Sequence, residues 1–586
     1  MKNKKNQISR RDFVKGTGSA AIAAGTGLSL QGLQSARAQG SQKYNILLIV
    51  TDQEQHMMPP QLPAGYRLPA HEKLASQGVV FENHQIASCV CTPSRSVIYT
   101  GQHIQNNGMF DNTNFPWSND LSTEIPTVGD MLRRLGYYTA YKGKWHLTDE
   151  FETANDVHMP QRILSAEMEE YGFADYFGIG DMIAHTEGGY LHDGVTTAMT
   201  KSWLRGKATN LNADDTPWFM AVNLVNPHDV MYYNTDLPDG PVEQGKKAMM
   251  HLNRDPETAQ FSRQWDVVLP ESRKQDVSGP GRPAAHLDFA DSRAGLVGRV
   301  PNEDDRWRRL NNYYLNCIQS ADSHVLEILD ELDDVGMADN TIIIYTSDHG
   351  EHAGAHGVNG KGATGYREQN NVPFIVSHPD IVGGKNCKAV TSHLDITTTV
   401  ISMAGGDPDS EKNLYGKDFS PLLHDPASAP YDAIRPGALF NYNMFAYLDR
   451  EFISNISTFL RDGGDPADLP NQSWRPNLAN RGAIRGVYDG RYKLNRYFSP
   501  QEHHLPQSLE ELIGSNDVEL FDTENDPHEV NNLALDLTKN GDLMVAMNDK
   551  LNALIESEVG EDIGQMLPGG EDADWTLDPS ISRLRM

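Results

Sequence analysis

The amino-acid sequence predicts an α/β fold, because stretches typical of strands, polar loops and helices alternate along it from Tyr44 onward. The run from Ile46 to Val50 is wholly aliphatic, as expected for a strand that is covered on both faces. This run and three later ones end in polar residues that are able to take part in chemistry. Ligands of open α/β sheets bind beyond the carboxyl ends of the strands, so the four endings together predict one shared site.

The four strand candidates share a pattern, an apolar run followed by reactive side chains. They are Ile46 to Val50 before Asp52 and Gln53, Tyr137 to Tyr141 before Lys144 and His146, Trp218 to Val225 before His228, and Ile342 to Tyr345 before Asp348 and His349. Helices are predicted between them, one from Ile125 through Leu135 and one around apolar positions 318 to 332. An ordinary polar loop explains any one ending, whereas four such endings favour a site.

Size and charge exclude several classes of protein. The chain has 586 residues, with 80 acidic against 50 basic side chains and a formal charge of −30. A field of this sign repels nucleic acid and anionic lipid, so neither is expected as a partner. No apolar run reaches the roughly 18 residues that a membrane span needs. Four cysteines in a chain of this length exclude a disulfide scaffold.

Residues 1–38 resemble a twin-arginine signal peptide. Basic residues precede Arg10-Arg11, a weakly apolar stretch rich in Ala and Gly follows, and the end at Ala38 offers a small-residue cleavage site. A basic amphipathic helix is the alternative. The signal implies a bacterial protein that the twin-arginine export machinery carries to the periplasm or beyond. Residues 1–38 carry seven basic residues and one acidic residue, so the remaining chain has a formal charge of −36.

Cys91 precedes Thr92-Pro93, which is a plausible cap and first-turn pair of a helix. The side chain of Cys91 would then lie at a helix N-terminus, where free amides and the helix dipole favour an anion. Unmodified, such a cysteine suits a nucleophile of low pKa, and it equally suits one half of a disulfide with Cys89. Local physics leaves both roles open.

The segment from Cys91 to Arg95, Cys-Thr-Pro-Ser-Arg, followed by Thr100-Gly101, resembles the signature of the type I sulfatases of the alkaline phosphatase superfamily. Further matching segments follow in family order: Gly143 to His146, Asn226 to His228, Asp348 to Glu351, Lys361, and Glu519 to Leu533. The resemblance implies an alkaline-phosphatase-like mixed sheet sandwiched by helices, with a smaller C-terminal α+β domain. It also implies that a maturation enzyme oxidises Cys91 to formylglycine.

By the same resemblance, one divalent cation is bound by four side chains and formylglycine 91. The four side chains are Asp52, Gln53, Asp348 and His349. Many sulfatases have Asp in place of Gln53 and Asn in place of His349, and the pairing here looks more like choline sulfatases and phosphonate monoester hydrolases. Oxygen-rich ligation and family precedent favour calcium, with manganese or magnesium as rivals.

The resemblance also assigns roles to the remaining matched residues. Arg95 and Lys144 would hold the negative charge of the sulfate group. His228 and Lys361 would protonate the leaving oxygen, and His146 would remove a proton when sulfate is released. Asn112 resembles a substrate-binding Asn of choline sulfatases, although a turn residue explains it as well.

A sulfatase catalytic domain is expected over residues 39–430 and a smaller domain over 431–586. Residues 235–305 are polar and lack steady periodicity, so they are expected to be an insertion near the site. The predicted function is an exported hydrolase of small aryl or alkyl sulfate monoesters. The alternatives are a phosphonate monoester or phosphodiester hydrolase and, in another class, a non-catalytic binder of sulfated ligands. The sequence leaves a homo-oligomer open.

Overall fold

The computed structural model describes residues 43–57, 62–113, 115, 118–151, 164–176, 186–246, 248–502, 504–560 and 562. The predicted signal peptide, residues 1–38, lies outside these ranges. The strands are β1 (Asn45–Asp52), β2 (Val79–Gln85), β3 (Ser88–Cys89), β4 (Tyr138–Gly143), β5 (Trp218–Pro227), β6 (Thr341–Ser347), β7 (Phe374–Ser377), β8 (Lys385–Ser392), β9 (Ala438–Tyr442), β10 (Ala483–Tyr488), β11 (Tyr492–Phe498) and β12 (Asp517–Asp522).

The α-helices of the described residues lie between these strands and after them. They are α1 (Pro69–Gln77), α2 (Cys91–Thr100), α3 (Ile104–Asn107), α4 (Val128–Arg134), α5 (Ser165–Glu169), α6 (Gly188–Trp203), α7 (Thr209–Ala213), α8 (Ala284–Val297), α9 (Asp304–Asp334), α10 (Arg367–Asn370), α11 (Leu394–Met403), α12 (Arg450–Arg461), α13 (Leu509–Ser515) and α14 (Leu537–Glu558). None of these helices is both long and apolar enough to cross a membrane.

The larger sheet has the strand order β4-β5-β1-β6-β7-β2-β8. β4, β5, β1 and β6 are parallel to one another, and β7 runs antiparallel to both of its neighbours. The sheet is therefore mixed, and the four strands predicted to end in reactive residues are adjacent. Because they are parallel, their carboxyl ends lie along the same edge of the sheet.

Helices cover both faces of this sheet. Alternate residues of β1 point to opposite sides, so Leu48 packs in one buried cluster with residues of α2, α4 and α11, and Leu47 packs in another with residues of α6 and α9. All eight residues of β1 are buried. Full burial of such an aliphatic side chain contributes about 1.5–3 kcal/mol, which explains the unbroken apolar run. The predicted sandwich of helices around a mixed sheet is confirmed.

A second sheet has the order β12-β11-β10-β9-β3. Its four C-terminal strands are antiparallel to one another, but β3 joins β9 in parallel. The second sheet is thus completed by Ser88–Cys89, the residues that lead into Cys91. The division of the chain at residue 430 remains a prediction.

Two local expectations differ from the structure. The helix predicted from Ile125 begins at Val128, because Thr127 caps it. The Thr127 hydroxyl accepts a hydrogen bond from the Gly129 amide, and the Asp130 carboxylate accepts one from the Thr127 amide. Residues 235–305, predicted to be an insertion because they lack steady periodicity, contain the 14-residue helix α8, which the sequence did not predict. Buried residues of α8 join a core cluster with strands of the second sheet, so packing rather than periodicity stabilises this helix.

The four cysteines are free thiols and are all buried. Cys89 lies in an apolar core cluster with residues of the second sheet, and Cys317 packs among apolar side chains of α9. The alternative of a disulfide between Cys89 and Cys91 is therefore not observed.

Candidate functional site

The reactive residues at the four strand ends come together in a closed, buried region. Lys144 and His146 follow β4, His228 follows β5, Asp52 ends β1 with Gln53 next to it, and Asp348 and His349 follow β6. Each of these side chains is buried. Ionisable groups removed from water need partners of opposite charge or a metal ion, so their mutual contacts decide what the site can do.

Cys91 is the first residue of α2 and lies beside these strand ends. Its Sγ is 3.1 Å from Nε2 of His349 and 3.7 Å from Oδ1 of Asp52. The predicted cap at Thr92 is wrong, since Thr92 is already helical and its hydroxyl donates instead to the carbonyl of His146 at 2.7 Å. This bond ties the start of α2 to the segment after β4 and fixes where the Cys91 side chain lies.

Four side chains form a group that could hold a metal ion. One ligand atom from each of Asp52, Cys91, Asp348 and His349 lies within 4.8 Å of the others, and all four residues are buried. Two fully buried carboxylates repel each other unless a cation lies between or beside them. Carboxylate oxygens with one imidazole fit a hard divalent cation such as calcium, magnesium or manganese. The residues present thus fit the group that the resemblance implied.

Lys144 supplies part of the positive charge at this site. Its Nζ donates to a carboxylate oxygen of Asp52, and both side chains are almost fully buried. Burial by itself would raise the pKa of Asp52, but Lys144, followed by His228 and Lys361, holds that pKa well below its usual range. Asp52 is therefore anionic at neutral pH and offers carboxylate oxygens to a cation.

Arg95 is directed at the two carboxylates of this group. Its Nε donates to Oδ2 of Asp348 at 2.9 Å, and its Nη2 lies 3.5 Å from Oδ2 of Asp52. Its Nη1 donates to the carbonyl of Lys144 and to Oδ1 of Asn223, both at 3.1 Å. Protein acceptors engage the guanidinium in this arrangement, and the role of Arg95 in holding the sulfate charge remains a prediction.

Gln53 is held in a single orientation from both ends of its amide. Its Nε2 donates to Glu351 and its Oε1 accepts from Nζ of Lys361. Glu351 in turn accepts from the backbone amides of Ala353, at 2.9 Å, and Gly360. These bonds place Lys361 next to the metal-ligating group and explain why an amide rather than a carboxylate is accommodated at position 53.

His146 and His228 are fully buried beside the cations. Burial lowers the pKa of His146, and Lys144 and Arg95 lower it further. Burial also lowers the pKa of His228, with Lys361 as the next cause. Nδ1 of His228 has no hydrogen-bond partner among the described residues. Both imidazoles are neutral at neutral pH in this environment, so each is able to accept a proton.

Asn112 lies at the N-terminus of α2. Its Oδ1 accepts from the backbone amide of Thr92 at 3.1 Å, which satisfies one of the free amides of the first turn. The side chain is therefore a cap supplied from outside the helix. The side-chain oxygen of Asn112 is thus engaged in this bond rather than directed at a substrate.

Two residues of the site carried no predicted role. Asn223 accepts from Arg95 and from the hydroxyl of Tyr99 at 2.7 Å, and Glu351 orients Gln53. The sequence contained a signal for each of these two residues. Asn223 interrupts the apolar run of β5, and Glu351 is part of the matched segment after β6. A buried polar residue within an apolar strand indicates a hydrogen-bonding duty.

Comparison with known proteins agrees with this geometry. A family model described as Sulfatase matches residues 44–406, which is more than half of the 586 residues. The endo-4-O-sulfatase of Bacteroides thetaiotaomicron is 25% identical over 497 residues, covering 80% of this chain and 82% of that relative. The choline-sulfatase of Rhizobium meliloti is 27% identical over 386 residues, covering 62% and 68%.

A solved structure shows the same fold. The phosphonate monoester hydrolase of Silicibacter pomeroyi superposes with a TM-score of 0.59, covering 88% of this chain and 96% of that chain. The two sequences are 17% identical, so this likeness describes the architecture alone.

Proposed function

Because this chain belongs to the sulfatase family, we propose that it hydrolyses small sulfate monoesters with a formylglycine at position 91 and one divalent cation. The observation that carries the proposal is the position of Cys91. Its side chain starts α2 inside the group formed with Asp52, Asp348 and His349. A family signature and a metal-ligating geometry thus coincide at one residue.

Asp52, Asp348 and His349 would hold the cation together with Gln53 and residue 91. Calcium is the proposed cation, with manganese or magnesium as alternatives. A bound cation would supply positive charge that polarises the sulfate group, and the hydrated aldehyde of formylglycine would supply the hydroxyl that attacks sulfur. Conversion of Cys91 requires the maturation enzyme that recognises the segment from Cys91 to Arg95.

The chain's own residues move the protons. Lys361, which donates to Gln53, and His228 are proposed to protonate the leaving oxygen of the ester. The anionic sulfate group of a bound ester would raise the pKa of His228, so that it carries a proton when the leaving oxygen needs one. His146, which burial and Lys144 keep neutral, accepts a proton from residue 91 as sulfate is released. Lys144 neutralises charge next to Asp52 and the bound sulfate group.

Arg95 and Asn112 are proposed to act mainly through other residues. Arg95 orients the carboxylates of Asp348 and Asp52, so it is a positioning residue. Asn112 caps α2 through Oδ1, so a substrate contact by Asn112 has to use its amide nitrogen. The cap by Asn112 keeps the start of α2, and with it residue 91, in place.

The net charge of the chain is the basis for proposing a small substrate. The chain beyond residue 38 has a formal charge of −36, which repels a sulfated polymer over roughly the 8 Å Debye length at physiological salt. Small aryl or alkyl sulfates experience far less of this field, and the cations at the site attract their sulfate group. The names of the relatives include both a choline-sulfatase and an endo-4-O-sulfatase, so charge rather than family likeness selects the small ester.

A phosphonate monoester or phosphodiester hydrolase is the second candidate. Gln53 and His349 favour it, because this pair resembles the metal site of phosphonate monoester hydrolases, one of which shares the fold. A non-catalytic binder of sulfated ligands is disfavoured, because the nucleophile position and its metal-ligating partners are all present in one buried group.

Export through the twin-arginine machinery to the periplasm or beyond is proposed from residues 1–38. The metal-loaded site and the modified residue 91 would then be assembled before export, since this machinery carries folded proteins. Fractionation of cells that produce the full chain, with Arg10→Lys and Arg11→Lys together as the matched variant, checks the location. Equal export of both forms would contradict the assignment.

One panel of assays tests the proposed activity. Purified protein, co-produced with a maturation enzyme, is given 4-nitrophenyl sulfate, choline sulfate and the phosphonate monoester 4-nitrophenyl phenylphosphonate at equal concentration, with Cys91→Ala as the control. We expect sulfate release that depends on Cys91 and exceeds phosphonate hydrolysis. A higher kcat/KM on the phosphonate would select the second candidate, and no turnover of any compound would favour the binder.

A further inference from the structure

Arg293 is a buried cation without a carboxylate partner in the part of the chain that the structure describes. It lies on α8, within residues 235–305, and is 2% exposed. Its Nη2 donates to the carbonyl of Met231 at 3.2 Å, whereas Nε and Nη1 have no hydrogen-bond partner among the described residues. A buried guanidinium without a counter-charge is costly, so this arrangement is typical of a group kept for a ligand.

The position of Arg293 relates it to the proposed active site. The guanidinium fills the space beside Gly360, where a Cβ atom would lie 2.5 Å from Cζ of Arg293. Lys361 follows directly in the chain, and its Nζ is 3.8 Å from the sulfur of Met231. Lys361 also donates to Gln53. The contacts therefore run from the metal-ligating group through Gln53, Lys361 and Met231 to Arg293.

Two tyrosines lie close to Arg293. Burial raises the pKa of Tyr232. Cys91 raises this pKa further and Arg293 lowers it, so the ring of Tyr232 is within electrostatic range of both residues. Burial also raises the pKa of Tyr447, and Arg293 opposes that change through its charge and through a hydrogen bond with the tyrosine side chain. Phe289, one turn before Arg293 on α8, packs against Tyr447 with ring centroids 5.0 Å apart. Aromatic rings thus flank a cation, as in a pocket for a ligand with an apolar body and an anionic group.

We propose that Arg293 binds a second anionic group, a carboxylate or a further sulfate, on the alcohol or phenol part of the ester substrate. The inference rests on the proposed function, because it takes the metal-ligating group as the place of the scissile sulfate and Lys361 as the place of the leaving oxygen. Arg293 lies beyond Lys361 along this line of contacts. A charged group there meets two unused guanidinium donors, and a neutral substituent leaves them unpaired.

The test compares matched substrates. The para and meta isomers of (carboxymethyl)phenyl sulfate are assayed against the corresponding primary amides by the release of sulfate. The methylene insulates the ring, so acid and amide have leaving phenols of similar acidity and differ in charge. For the parent protein we expect kcat/KM for at least one acid to exceed that of its amide roughly 10- to 100-fold. This is the change in rate that the loss of a hydrogen bond to a charged group typically causes. Equal values for both isomer pairs would overturn the proposal.

Variants assign the preference to Arg293. In Arg293→Gln the ratio of acid to amide is expected to fall to about 1, and Arg293→Lys is expected to keep part of it. Arg299→Gln removes the same charge from the same segment, at a side chain that is exposed and paired with Asp291, and should keep the parent ratio. A ratio that stays unchanged in Arg293→Gln would contradict the assignment.

Thermal unfolding separates this role from a structural one. Because the buried guanidinium has no carboxylate partner among the described residues, we expect Arg293→Gln to have a Tm equal to or above that of the parent. A lower Tm together with an unchanged ratio would show a structural role and overturn the proposal. If the proposed function itself is wrong, neither the acid nor the amide will release sulfate in a Cys91-dependent reaction. That result would overturn the proposed function and the role of Arg293 together.

Discussion

Arg95 offers a sharp test of how the site is organised, because its contacts point to the carboxylates rather than to the substrate. Arg95→Met keeps most of the side-chain length and removes the bond from Nε to Asp348 at 2.9 Å, as well as the longer approach to Asp52 at 3.5 Å. One buried hydrogen bond of this charged kind contributes about 1.5–3 kcal/mol. At 1.4 kcal/mol per factor of ten, the expected loss of metal affinity is roughly 10- to 150-fold.

Metal affinity is measured by titrating calcium into metal-stripped protein and following heat or fluorescence, with activity recorded at each point. Saturating metal should restore much of kcat, and KM for 4-nitrophenyl sulfate should change little. The matched control is Arg134→Met, an exposed arginine of α4 that pairs with Glu411. The reasoning is refuted if Arg95→Met binds calcium like the parent while KM rises tenfold or more, since Arg95 would then contact the sulfate.

Three further predictions follow from other contacts. Asp348→Ala should lose metal and activity together, because it removes a buried anionic ligand; stoichiometric metal in this variant, measured by elemental analysis, would contradict the site. His228→Ala should slow esters of poor leaving groups more than activated aryl sulfates, and equal losses across a leaving-group series would remove its role as proton donor. Burial would lower the pKa of His71, but Glu54 and Asp322 raise it to about 10. The stabilisation from this histidine is full below the unfolded pKa of about 6.5 and is lost as pH rises toward 10, so His71→Gln should flatten the alkaline fall in Tm.

The main sheet and the place of the site were predictable from sequence because they depend on short-range patterns. An aliphatic run such as Ile46 to Val50 is long enough to identify a buried strand, and the polar residues after it must lie at the carboxyl end. The order of strands along the sheet was not predictable from these patterns. It depends on which runs pair across hundreds of residues.

The orientation of individual side chains was less accessible to sequence. Arg95 has several possible acceptors, and only the tertiary fold decides that Asp348, Lys144 and Asn223 receive its donors. Asn112 caps α2 from outside the helix, a contact across 20 residues that no local motif encodes.

Helix α8 was missed for a related reason. Its buried residues recur at helical spacing, but they include His286, Ser292 and Arg293, so the hydropathy pattern is weak. Amphipathic periodicity detects helices that bury apolar faces, whereas α8 buries a face with polar members. Arg293, the charged member of this face without a carboxylate partner among the described residues, is the one for which we infer a ligand.

The chemical state of residue 91 is the most direct test of the proposed function. Peptide mass spectrometry of the active protein, co-produced with a maturation enzyme, should show the Cys91 thiol replaced by an aldehyde, and the specific activity of several preparations should rise in proportion to the converted fraction. Cys91→Ala, which cannot be converted, should lose turnover by several orders of magnitude. A fully active preparation in which residue 91 is entirely unmodified cysteine would contradict the account.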